Sequence, residues 1–145
     1  MKTKQKIIQV TDKIQINKPQ IQELYEGEIH DLIITSLQKA SRGCDSKSRS
    51  YELLQGLLKE NDEIGIGRKA FETVKAVFST GEALNKKRIA ILESVGIELR
   101  AGGKHQKLCF FGNEKYCFTV ATSPSDDRYG KNLASDIAKA LSVYR

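Results

Sequence analysis

The sequence predicts an α+β protein, with a helical N-terminal region over residues 1–79 and an α-β-β-β-α domain over residues 80–145. Three observations carry this. Apolar residues recur at helical spacing from Ile21 to Val95. After Gly96 the pattern changes to short runs of aromatic and β-branched residues, and after Pro124 the helical spacing returns.

Residues 1–16 are weakly patterned and suit an edge strand or a loose arm. Pro19 fits a first helical turn, and Ile21, Leu24, Tyr25, Ile29, Leu32, Ile33, Leu37 and Ala40 extend the stripe over about six turns to Gly43. The polar stretch 41–50 is a loop. A second helix starts at Ser50, with Leu53, Leu54, Leu57 and Leu58 as its stripe, and gives out at Asn61 and Asp62. A third runs from about Arg68 with Ala70, Phe71, Val74, Val77 and Phe78 on one face, and a fourth, capped by Thr80, carries Leu84, Ile91, Leu92 and Val95.

Beyond Gly96 three strands are expected, Ile97–Arg100, His105–Phe111 and Tyr116–Ala121, the last two joined by Gly112–Lys115 as a hairpin. Pairing Phe111 with Tyr116 sets Cys109 opposite Phe118 and Cys117 opposite Phe110, so the two thiols point to opposite faces; a one-residue slip undoes this. Asp126 or Asp127 caps a last helix bearing Leu133, Ile137, Ala138 and Leu141.

Composition narrows the function classes. With 145 residues, 39% of them hydrophobic and 29% charged, the chain can bury one core and is too short for a large multidomain enzyme. No apolar run reaches the roughly 18 residues that a membrane span needs. Asp12 and Lys13 interrupt any signal-peptide core, so a cytoplasmic protein with no membrane partner is expected. Three scattered cysteines, Cys44, Cys109 and Cys117, suggest reduced thiols and neither a disulfide framework nor a metal site. No cofactor is implied. Of the net charge of +6, residues 85–145 supply +5, a C-terminal excess that favours a polyanion such as RNA.

The order of parts in the C-terminal region, a helix ending at Gly96, a short strand, the glycine-led basic turn AGGKH, a strand-turn-strand, and Gly130-Lys131 entering a final helix, resembles the HicA toxin family. These are small RNA-cutting proteins with a fold like the double-stranded RNA-binding domain. The likeness covers roughly the last 65 residues. It implies metal-independent cleavage of duplex RNA or mRNA and assigns the catalytic role to His105. Cleavage through the neighbouring 2′-hydroxyl needs a proton acceptor and donor near neutral pH, which imidazole as a residue type provides. Arg100, Lys104 and Lys107 are near His105, and strand alternation puts Lys107 on its face and Lys104 on the other. The resemblance also assigns Arg128 and Lys131, near the start of the last helix, to the RNA backbone. It further suggests an antitoxin-like partner. The alternative function is a nucleic-acid-binding or protein-binding adaptor without chemistry.

Two N-terminal features are weaker pointers. Ile64-Gly65-Ile66-Gly67 resembles the turn of helix-hairpin-helix DNA-binding modules, where glycine amides approach a phosphate, although Phe71 stands where that pattern wants a small residue. His30 has no second ligand-type residue at i+4 and reads as solvated. The long stripe from Pro19 to Ala40 must be covered, by the two following helices or by a second copy in a homodimer.

Overall fold

The structure, a computed structural model, describes residues 12–80, 83–102, 105–120 and 129–141. The expected α+β architecture is present. Among the described residues five α-helices, α1 (Glu28–Arg42), α2 (Arg49–Glu60), α3 (Ile66–Phe78), α4 (Lys86–Ser94) and α5 (Tyr129–Leu141), accompany strands β1 (Ile97–Gly102), β2 (His105–Phe110) and β3 (Cys117–Val120). The strands form an antiparallel meander in the order β1-β2-β3.

The first helix starts nine residues later than its apolar spacing suggests. Gly27 precedes α1 with φ 85°, a left-handed conformation that stops helix propagation at a residue other than glycine only with strain. A Cβ there would also collide with the Ile64 side chain. Upstream, two glutamates brace a non-helical turn: the Leu24 N–H donates to Glu28 and the Ile29 N–H to Glu23, each at 2.9 Å. Ile21, Leu24 and Tyr25 thus carry a helical spacing without forming a helix.

The next elements start on side-chain caps. Ser48 accepts the Tyr51 N–H ahead of α2, and Asn85 accepts the Arg88 N–H ahead of α4. Thr80, expected as the α4 cap, instead accepts a hydrogen bond from the Arg88 guanidinium at 3.0 Å. The residues expected to cap α5, Asp126 and Asp127, lie outside the described residues.

The core is centred on α3. Ala70, Phe71, Val74, Val77 and Phe78 join Leu92 of α4, Ile97, Leu108, Phe110 and Val120 of the sheet, and Leu133, Ala134, Ile137 and Ala138 of α5 in one buried cluster. This cluster runs across the boundary at residue 79, so α3 shares its apolar face with the C-terminal elements. The α1–α2 pair lies beside it, and α2 contributes no fully buried residue.

Asp31 ties α1 to that core. Only 3% exposed, its carboxylate accepts the N–H groups of Ile64 and Gly65, each at 2.8 Å, at the start of α3. Tyr25 packs over Gly67, where any Cβ would meet its hydroxyl, and its ring centroid lies 4.8 Å from that of Phe111.

The hairpin register differs from expectation by one residue. Cys109 faces Cys117, and Leu108 faces Phe118. The cause is the connection: Asn113 accepts the Lys115 N–H and closes a 3-10 turn over Glu114–Tyr116, so Tyr116 belongs to the turn and β3 begins at Cys117. The two thiols therefore share a face, with Cα atoms 4.1 Å apart, and form a disulfide. The expected reduced pair on opposite faces is corrected; Cys44 remains a thiol.

Two predictions follow from the α1–α3 joint. Asp31→Ala leaves two part-buried amide donors without their acceptor and is expected to cost about 2 kcal/mol in urea unfolding, with Asp31→Asn losing less; an unchanged midpoint would refute the joint. Burial of Tyr25, reinforced by the Glu28 and Asp31 carboxylates, pushes its phenol from the ordinary 10.0 up to about 12. The unfolded chain releases that proton first, so its contribution is intact below pH 10 and is lost as pH rises to about 12. Tyr25→Phe should flatten that alkaline fall in the unfolding midpoint, and an identical fall in the variant would assign it elsewhere.

Candidate nucleic-acid interface

The sheet has one face against the helices and one open. Ile97 and Leu99 of β1, Leu108 and Phe110 of β2, and Phe118 and Val120 of β3 point to the covered side. Alternation then places Glu98 and Arg100, His105, Lys107 and Cys109, and Cys117 and Thr119 on the other. Arg100 is directly opposite Lys107, and Lys107 is also opposite Thr119. His105 stands two residues from Lys107, about 6.6 Å along the strand. Both side chains are exposed.

The structure therefore brings His105, Lys107 and Arg100 together on one open face. Their surroundings differ. The Arg100 guanidinium is bound by Glu98 at 3.3 Å and reaches Glu114 at 3.9 Å, so two carboxylates already balance it. Lys107 has no such partner among the described residues. His105 has no hydrogen-bond partner among them either, so no carboxylate orients its ring. Lys104, Arg128 and the side chain of Lys131 lie outside the described residues; the backbone of Lys131 falls in the first turn of α5.

The glycine turn before α3 is differently used from its resemblance. The Ile64 and Gly65 amides both donate to Asp31, so that carboxylate occupies the place a phosphate would take. His30 is likewise engaged: its Nε2 lies 2.8 Å from the Asp62 carbonyl, which can only accept, so this nitrogen carries the proton. Among the described residues no group of three or more His, Cys, Asp or Glu side chains is placed to hold a metal ion. None of their helices is long and apolar enough to cross a membrane.

Two features of this face were missed by the sequence reading. Glu114 lies in the turn, and only the register shows that it approaches Arg100. The Cys109–Cys117 bond follows from the same one-residue shift. Comparisons with protein families, with curated proteins and with solved structures each found no match.

The cross-strand bond has a direct check. Peptide mapping of unreduced protein is expected to return Cys109 and Cys117 joined and Cys44 alkylated. Alkylation of all three would show that the bond is not formed.

Proposed function

We propose that the chain is a HicA-like RNA-binding protein of the toxin type, acting as a metal-independent endoribonuclease through His105. The observation that carries the reading is the exposure of His105 and Lys107 on one open strand face, at the start of the second strand of an α-β-β-β-α order of elements. In the reaction, His105 accepts the proton of a ribose 2′-hydroxyl as that oxygen bonds to the adjacent phosphorus. The bond from phosphorus to the 5′-oxygen breaks, and the imidazolium returns the proton to that leaving oxygen. Lys107 holds a non-bridging oxygen and offsets the charge that develops there. Lys104, Arg128 and Lys131 complete the backbone contacts in this reading.

A second reading has support of its own. Glu98 and Glu114 place two carboxylates on the face that RNA would approach, and no group among the described residues orients His105. A binding adaptor without chemistry tolerates both. In either case Leu32 and Leu53, 52% and 51% exposed, offer apolar contact for an antitoxin-like protein or for a second copy. We place the protein in the cytoplasm, and the reaction in this reading uses neither Cys109 nor Cys117.

The test uses the full chain, because α3 is part of the C-terminal core. His105→Ala is expected to abolish cleavage of duplex RNA or mRNA while leaving affinity within a few fold. Lys107→Ala should weaken both and lower the salt dependence of binding by about one unit of slope. Undiminished cleavage by His105→Ala would remove it from the mechanism; binding without cleavage by the unaltered chain would favour the adaptor.

A further inference from the structure

Four cations from two helices converge well away in sequence from the sheet residues. The last turns of α1 supply Lys39 and Arg42, and α3 supplies Arg68 and Lys75, around a cleft of about 240 Å3. Phe71 contributes to its wall, with the Lys75 ammonium 5.6 Å from the ring centroid. Glu72 is the single carboxylate in the lining. Arg68 is held from the side by Glu63 at 2.9 Å. Lys39, Arg42 and Lys75 have no carboxylate partner among the described residues.

Gathering like charges is unfavourable unless something of opposite sign enters between them. The cleft lining carries four positive charges against the Glu72 carboxylate, and with Glu63 answering Arg68 from the side an excess of two remains, which a single carboxylate ligand cannot balance and a polyvalent phosphate can. Arginine adds planar, paired donors that match phosphate oxygens. Asp31 contributes by fixing the α1–α3 spacing while spending its own charge on the Ile64 and Gly65 amides, outside the cleft lining.

We propose that this α1–α3 cleft binds a phosphate oxyanion, either a small polyphosphate or the backbone of a nucleic acid. The site is independent of His105 and stands or falls apart from RNA cleavage. It assigns new roles to Lys39, Arg42 and Lys75 as phosphate contacts and to Glu72 as the group that limits affinity.

The experiment titrates the full chain at low salt with tripolyphosphate and separately with duplex RNA, by calorimetry. Lys75→Gln is expected to weaken tripolyphosphate about threefold and Glu72→Gln to tighten it about threefold, opposite shifts from two neighbouring positions on α3. Lys59→Gln, on exposed α2, controls for overall charge and should change affinity by much less. The same opposed shifts in the RNA arm identify a nucleic-acid backbone as a source of the phosphate; shifts confined to tripolyphosphate identify a small anion. Absence of tripolyphosphate binding by the unaltered chain, equal affinities in the two α3 variants, or an equal loss in Lys59→Gln would each overturn the proposal. Circular dichroism of each variant separates lost binding from lost folding.

Discussion

The placement of the N-terminal helices depends on one buried carboxylate. Asp31 sits in α1 but serves α3, taking the two amides at that helix's entrance. A carboxylate suits this position because the free N–H groups and the helix dipole both favour negative charge. Around it the joint is tight: Gly27 lets Ile64 approach, Gly67 lets Tyr25 lie across α3, and His30 bonds to Asp62. Since α3 also fills the centre of the core against α4, α5 and the sheet, a contact at its entrance orients the helical layer relative to the C-terminal elements. Asp31 also takes amides that a glycine turn of this kind could have offered to a phosphate.

How much of this was legible in the sequence differs by element. The stripes of α3 and α5 marked their buried faces directly, since Val74 and Ile137 are fully buried where the spacing put them. The change of pattern after Gly96 located the sheet. The start of α1 was not legible, because Leu24 and Tyr25 are half-buried in a non-helical segment, where burial on one side produces the same spacing as a helix, while Ile21, which extends the spacing, is exposed. Only Gly27 and the Glu23–Glu28 brace distinguish the segment from a helix, and both act through local hydrogen bonding that a hydrophobic pattern does not record.

The candidate site was legible to the same degree as its strand. Parity along β2 put His105 and Lys107 on one face, and parity does not depend on register with β3. Register does decide what lies across from a residue, and there the reading failed at Cys109 and Cys117. A capped 3-10 turn takes Tyr116 out of the strand, and one residue is enough to bring two cysteines from opposite faces to the same one. Arg100 shows a related limit. Its own face was predictable, but the Glu114 carboxylate that offsets its charge comes from the turn.

Charge summed along the chain proved a poor guide to charge in space. The C-terminal half holds the net excess, yet on the open sheet face Arg100 is answered by two carboxylates. The N-terminal region is nearly balanced, yet it builds the α1–α3 cleft. Helix α1 explains how: Glu28 and Asp31 occupy its first turn and Lys39 and Arg42 its last, the arrangement that complements a helix dipole. A helix neutral over its length is then basic at one end. Packed against α3, which carries no acid in its first turn and bears Arg68 and Lys75, that end meets more positive charge. The segregation that stabilises α1 by itself thus creates, once the helices pack, a concentration of cations that neither helix shows alone.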